Sequence, residues 1–223
     1  MRLFHGDNQL VSREALFKEK EKSRVQGLEL VELVDKNISL GEVKQAVESA
    51  GLFGNDRVLV LEGLFSGQSN KNKKEVIEYL KRVKPENVII WEGKKIDGRK
   101  LSGWQAEEFK VSTVVFKFLE AVRPGEQRQW LSLWETVLKT EPVELVFFLL
   151  VRQVRQLIGV TSSPETFKGA PWLVNKLKQQ GKFFGLVGLL KLHGRLCQLE
   201  IETKTGSGVL PLETRLEMML MGL

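Results

Sequence analysis

Two unbroken apolar runs, Val58-Leu59-Val60-Leu61 and Val88-Ile89-Ile90-Trp91, constrain the fold of this chain more than any other feature. A strand that is apolar at every position needs cover on both faces, as an interior strand of a helix-flanked parallel sheet has. The surrounding segments alternate to match. Arg2–His5 reads as a short buried strand, and Gly6-Asp7-Asn8 as a turn that caps a polar helix from about Gln9 to Arg24. Leu28, Leu30, Val31, Leu33 and Val34 suggest a second strand. Ser39, with Glu42 three residues on, forms a capping box for a helix carrying Val43, Ala46 and Val47. After a polar loop at Ser66–Lys74, the segment Lys74–Val83 has helical periodicity, and Pro85 ends it. Residues 1–110 therefore read as an α/β module with a small, doubly wound parallel sheet.

Beyond Val111 the period changes. Val114, Val115, Phe118, Leu119 and Val122 share one helical face, and Pro124-Gly125 closes that helix. Trp130, Leu131, Trp134, Val137 and Leu138 repeat the amphipathic spacing. Pro142 suits the first position of a third helix, Val143–Ile158, which is apolar almost all round and so central. Thr161–Pro171 reads as a loop, and Trp172–Gln180, Phe183–Leu199 and Leu212–Met221 as further helices. Trp130, Trp134 and Trp172 are expected in the core, the alternative being an interface of the helical domain. Residues 111–223 thus form an all-helical domain.

The charge is unevenly placed. Eight basic residues fall between Leu145 and Leu199 (Arg152, Arg155, Lys168, Lys176, Lys178, Lys182, Lys191 and Arg195), against the single acid Glu165. Such a region attracts polyanions or acidic partners, unless it is only a solvated helix face. All of these except Lys168 are the candidate nucleic-acid contacts. One cysteine, Cys197, allows no internal disulfide and suits a reducing compartment. The longest apolar run, Leu145–Val151, is too short to span a bilayer, and the opening Met1–Gly6 does not resemble a signal peptide. A cytoplasmic location without a membrane partner is the expectation.

Catalytic patterns are missing. A P-loop needs Gly-x-x-x-x-Gly-Lys-Ser/Thr, but Gly6 is followed by Asp7-Asn8-Gln9-Leu10-Val11-Ser12-Arg13. Asp7 places a negative charge where a phosphate would sit. Two histidines, His5 and His193, and one cysteine do not supply the usual zinc cluster, and no Gly-x-Ser-x-Gly elbow is present. His193, beside Gly194, reads as a surface or helix-boundary residue. No catalytic residue, cofactor or metal is expected.

One segment points outward instead. In Gly51-Leu52-Phe53-Gly54-Asn55-Asp56-Arg57, two large apolar side chains lie between glycines in a turn that leads into the Val58 strand. Loops normally lie at the surface, so Leu52 and Phe53 are either presented to a partner or folded back onto the sheet. Burying each contributes roughly 1.5–3 kcal/mol, enough for a two-residue hot spot.

Several segments, in order, share a family's pattern. They are Leu3–Asn8, Leu52–Leu61, Asp97-Gly98-Arg99-Lys100-Leu101, Val115–Val122, the Arg-Gln-rich Leu149–Ile158, Leu199–Gly206 and Leu212–Met221. Together they resemble the delta subunit family of the bacterial DNA polymerase III clamp loader. The resemblance implies a degenerate AAA+ type module without a working Walker A motif, followed by a helical collar domain for oligomerisation. It implies a non-catalytic role in DNA replication, that of gripping and helping to open the sliding clamp. Leu52 and Phe53 would enter a clamp pocket, with Arg57 flanking or orienting them. The other loader subunits would join through the collar, and DNA would be a partner of the assembled complex. The family also carries a small helical lid between the two parts. Here Leu101–Val111 is too short to hold one, so the lid is expected to be missing. Two other readings stand beside this one. One is an autonomous nucleic-acid-binding module built on the basic helices; the other is a nucleotide hydrolase with an unusual loop.

Overall fold

Five short strands, the inner ones buried along almost their whole length, organise the N-terminal unit, Met1–Val111. The computed structural model describes residues 1–48, 57–66, 71–165 and 167–223. The order is β1 (Arg2–Gly6), α1 (Gln9–Val25), β2 (Glu29–Val34), α2 (Leu40–Glu48), β3 (Arg57–Glu62), α3 (Lys71–Val83), β4 (Val88–Glu92) and β5 (Gln105–Phe109). The strands form one parallel sheet in the order β2-β3-β4-β1-β5. The chain leaves β1 for the far edge at β2 and then steps back through β3 to β4. Crossovers that run in opposite directions along the sheet put α1 on one face and α2 and α3 on the other, as the usual right-handed connection requires.

The two apolar runs lie in the interior of this sheet, and successive residues serve opposite faces. Phe4, Val58, Val60, Ile89 and Trp91 pack with Leu16 of α1. Leu3, Leu59, Leu61 and Ile90 pack with Val43 of α2 and Val76 and Leu80 of α3. Asn8 caps α1 by accepting from Val11 N at 3.2 Å. Ser39 caps α2, accepting from Glu42 N at 3.3 Å and donating its hydroxyl to Glu42 Oε2 at 2.8 Å. The sequence reading puts residues 71–73 in a loop, but they form the first turn of α3.

β5 is a strand that the sequence reading omits. Gln105-Ala106-Glu107-Glu108-Phe109 carries no apolar alternation, and Gln105, Ala106 and Glu107 are exposed. It is an edge strand, held by backbone pairing to β1 in the register Leu3↔Ala106. Charged side chains on such an edge also discourage pairing with other chains. Only residues 110–112 separate β5 from the next helix, so no domain is inserted at this junction.

The second unit, Ser112–Leu223, is helical. It comprises α4 (Thr113–Ala121), α5 (Gln127–Thr140), α6 (Val143–Ser162), α7 (Pro171–Thr205) and α8 (Leu212–Met221). Phe118, Trp130 and Trp134 are buried together, with the Phe118 and Trp134 ring centroids 5.2 Å apart. Trp134 Nε1 donates to Glu217 Oε2 at 3.1 Å, joining α5 to α8. Buried Gln180 of α7 donates to the carbonyls of Leu119 and Val122, so a side chain satisfies the open end of α4. The α/β-then-all-α architecture expected from the sequence is what the chain adopts.

Four details differ from expectation. Trp172 is 68% exposed, because it stands in the first turn of α7. Pro142 precedes α6 as its N-cap rather than opening it. α6 packs centrally through Val146, Leu150, Val154 and Leu157, yet leaves Phe148 exposed. The two helices expected between 172 and 199 are present as the two halves of α7, but the break between them falls at Gly185, whose φ of +63° suits glycine, and not before Phe183.

Candidate functional site

Open parallel sheets bind ligands beyond the carboxyl ends of their strands, where the strand order reverses. Here that place is the end of β1, beside β4. Gly6 has φ +140°, and a Cβ on it would lie 2.0 Å from Phe109 O. The end of β5 therefore sits directly against the loop that a phosphate-binding turn would use. Asn8 N donates to Phe109 O at 3.1 Å, and Asp7 Oδ1 accepts from Val111 N at 3.3 Å. The Asp7 carboxylate thus anchors the chain as it leaves β5.

The neighbouring positions are also filled by internal pairs. Arg13 of α1 donates to Glu62 Oε2 at 2.5 Å and lies 3.5 Å over the Trp91 ring. Lys20 reaches the other oxygen of Glu62 at 3.3 Å. Trp91 Nε1 donates to Ser12 Oγ at 3.1 Å. His5 is buried, and its Nδ1 accepts from Ile96 N at 3.3 Å. Burial lowers the imidazole from its ordinary value; Glu108 opposes that, while Lys95 and Lys110 reinforce it.

The loop after β3 hangs between two buried charges. Glu92 accepts from Phe65 N at 2.5 Å, and its burial raises its carboxyl value against the effect of those hydrogen bonds. Lys73 donates to Asp35 Oδ1 at 2.5 Å, Gly63 O at 2.7 Å and Ser66 O at 2.8 Å. The Lys73 hydrogen bond holds Asp35 below the usual carboxylate range. These groups are arranged to hold the backbone. None forms a nucleophile and base facing a cavity. Among the described residues, no group of three or more His, Cys, Asp or Glu side chains could hold a metal.

The opposite end of the sheet differs. Leu52 and Phe53 lie outside the described residues, but both attachment points of their segment are described. The chain leaves α2 at Glu48 and re-enters the sheet at Arg57. Tyr79 of α3 donates to Glu48 Oε1 at 3.1 Å, which ties the end of α2 to α3. Burial raises the Tyr79 phenol, and the Glu48 carboxylate adds to that rise. Arg57 Nε donates to Glu29 Oε2 at 2.6 Å, across the register pair Glu29↔Arg57. Both ends of the Leu52-Phe53 segment are thus held at the amino-end rim of the sheet, away from the strand ends that Arg13, Asp7 and Glu92 occupy.

In the helical unit all seven candidate nucleic-acid contacts are exposed. Arg152 and Arg155 lie on α6; Lys176, Lys178, Lys182, Lys191 and Arg195 lie on α7. They do not form one continuous stripe. Lys178 and Lys182 share a face before the Gly185 break, and Lys191 and Arg195 share one after it. Lys176 pairs with Glu120 at 2.5 Å, and Arg155 Nε donates to His193 Nε2 at 3.3 Å. His193 is half-buried within α7, where Cys197 Sγ lies 3.6 Å from its Nδ1, so it is not at a helix boundary. Beside these, Phe147, Phe148, Val151 and Leu212 line an apolar groove of about 590 Å³, rimmed by Arg152 and Arg155. The sequence had marked neither this groove nor the Arg13–Glu62–Trp91 cluster, because both join residues far apart in the chain. No helix among the described residues is long and apolar enough to cross a membrane.

Residues 5–119, more than half of the chain, match the family model for the DNA polymerase III delta subunit. The Bacillus subtilis DNA clamp loader delta protein (YqeN) is similar in structure at 13% identity, with 99% of this chain and 94% of that one covered and a TM-score of 0.47. No curated protein sequence matches the chain.

Proposed function

From the premise that the chain belongs to the DNA polymerase III delta-subunit family, we propose that it is the non-catalytic clamp-gripping subunit of a DNA clamp loader. The observation that carries this reading is the bracing of the two described residues that flank the Leu52-Phe53 segment. The family match covers it, and its two attachments, Glu48 and Arg57, are braced by Tyr79 and Glu29. A braced base lets a short apolar turn enter a pocket with less loss of conformational freedom. Leu52 and Phe53 contact the sliding clamp, and Arg57 orients their segment from the start of β3.

The strand ends where a nucleotide would bind are occupied by Arg13, Glu62, Asp7 and the end of β5. This supports a subunit without ATP turnover of its own, in which partner subunits supply nucleotide control. In this reading the first unit is a degenerate AAA+ type module whose lid is missing, and the helical unit joins the collar of a cytoplasmic replication complex. The exposed basic side chains Arg152, Arg155, Lys176, Lys178, Lys182, Lys191 and Arg195 serve DNA or acidic partner surfaces in that complex.

Docking helps to open the ring only if the segment binds the open clamp more tightly than the closed one. The test is binding of the purified chain to its own organism's sliding clamp, immobilised on a surface. A Leu52→Ala, Phe53→Ala variant that melts like wild type is expected to lose clamp affinity by about a hundred-fold, since two hot-spot side chains are removed. Unchanged affinity in the folded variant would overturn the assignment. Strong duplex DNA binding with no clamp or loader binding would favour an autonomous nucleic-acid module.

A further inference from the structure

The two edges of the parallel sheet are guarded differently. β5, on one side, carries Glu107 and Glu108 among its five residues. β2, on the other, is Glu29-Leu30-Val31-Glu32-Leu33-Val34, apolar at four of its six positions. It pairs with β3 without interruption from Glu29↔Arg57 to Val34↔Glu62, so no bulge twists its outer edge away. Among the described residues, no backbone group from elsewhere in the chain bonds to that outer edge. Val34 is 50% exposed at its end.

Natural sheets protect an edge with charge, proline, a bulge or a cover. β2 has only two charges, and both are drawn back into its own sheet. Arg57 of β3 takes Glu29 at 2.6 Å, and Lys20 of α1 takes Glu32 at 2.9 Å. Leu30 packs on the α1 face with Val58 and Val60, while Val31 and Leu33 pack on the face of α2 and α3. Apolar groups thus reach the rim on both faces, and the edge between them is close to neutral.

An open edge of this kind takes an added strand. Two copies joined edge to edge in one continuous sheet run antiparallel about an axis through the sheet, and each face meets the same face of its twin. Because side chains alternate between faces, the numbers of opposed residues then differ by an even amount. With Glu32 on the axis, two carboxylates would stand opposite each other, which is unfavourable. With Val31 on the axis, Val31 meets Val31, Leu30 meets Glu32, and Glu29 meets Leu33. No like charges are opposed in that register, and the central pair is apolar.

We propose that β2 is the docking edge for a second copy of this chain, joined antiparallel with Val31 at the two-fold axis. The inference goes beyond the clamp-loader reading and does not depend on it. One strand pair makes a small interface, so the association is weak and depends on concentration.

Sedimentation velocity of the full chain over a series of concentrations measures the association. Val31→Cys in a Cys197→Ser background reads the register. Opposed Cβ atoms of an antiparallel pair lie roughly 4.5–5.5 Å apart, close enough for a disulfide. Leu33 and its twin are displaced by about 13 Å along the strands, too far for one. Oxidation with copper–phenanthroline is expected to link the Val31→Cys chains in pairs and to leave Leu33→Cys at the level of the Cys197→Ser parent. Val31→Lys, checked for wild-type melting, sets two cations on the axis and weakens association about ten-fold or more.

A chain that stays monomeric at every concentration overturns the proposal. A dimer that Val31→Lys leaves unchanged does so too, because the contact then lies elsewhere. Equal cross-linking through Leu33→Cys and Val31→Cys overturns the register. Clamp binding of the same variants separates the other occupant. If the chain is monomeric and folded Val31→Lys weakens clamp binding, the edge belongs to the clamp, and the clamp-loader reading stands without the second copy.

Discussion

The side-chain amide of Gln180 donates to the carbonyl of Leu119 at 2.8 Å, linking the part of α7 before the Gly185 break to the last turn of α4. The same amide nitrogen lies 3.2 Å from Val122 O, and Gln180 Oε1 accepts from Gln153 Nε2 at 2.8 Å. Gln153 also donates to Leu119 O, at 3.1 Å. Two glutamines thus close the polar end of a helix whose Phe118 packs against Trp130 and Trp134.

Replacing Gln180 by Leu leaves Val122 O without its side-chain donor in a buried setting, and destabilises the protein by about 1–3 kcal/mol. Gln153→Leu costs less: it removes the donor to Gln180 Oε1, but Leu119 O and Val122 O both keep the Gln180 amide. Urea denaturation of both variants checks the order. Equal losses would show that the two amides do not divide the work in this way.

Gly6→Ala is expected to be among the most damaging single changes in the α/β unit. The added Cβ would lie 2.0 Å from Phe109 O, on a residue with φ +140°. Backbone strain and overpacking together cost about 3 kcal/mol or more. Hydrogen exchange localises the effect, with protection lost first along β5. Wild-type stability in this variant would mean that β5 does not press on the β1 turn.

Two buried groups tie stability to pH with opposite signs. The folded protein holds His5 below its ordinary value of 6.5. Between the lowered value and 6.5 the unfolded chain binds a proton that the native state refuses, so stability rises with pH in that window. The folded protein holds Glu92 above its ordinary value of 4.5. Between 4.5 and the raised value the native state keeps a proton that the unfolded chain releases, so stability falls with pH there. Denaturation curves across this range check both: His5→Gln flattens the rise, and Glu92→Gln removes the fall. Curves parallel to wild type in both variants would refute the linkage.

Gly194→Ala stabilises the isolated chain by about 0.5–1 kcal/mol, because alanine is the better helix former and the position is open. Thermal melting reads this directly. A lower melting temperature would mean that the glycine serves this chain's own fold.

The Val58 and Val88 runs, the Asn8 cap and the Ser39–Glu42 box announce the α/β unit because each is a local signal, carried by neighbours in the chain. β5 is silent because an edge strand asks only for backbone pairing, and its side chains need no apolar pattern. Trp172 misleads for a related reason. A large aromatic side chain argues for burial, but whether another element covers it depends on where the first turn of α7 lies. The candidate segment at Leu52 and Phe53 is legible as an apolar turn, and the bracing of its ends by Tyr79 and Glu29 is not.

By itself the sequence determined which stretches become helix or interior strand, that the turn after β1 lacks the residues of a phosphate cradle, and that one helical region is basic. Tertiary structure alone decided that Arg13, Glu62 and Trp91 meet over the strand ends, that Gln180 closes α4, and that Val187, Leu190 and Ile201 of α7 stay exposed. The division has a physical cause. Backbone preference and hydrophobic period act over a few residues and can be read in order, whereas a site is a meeting of side chains that only the folded path brings within reach.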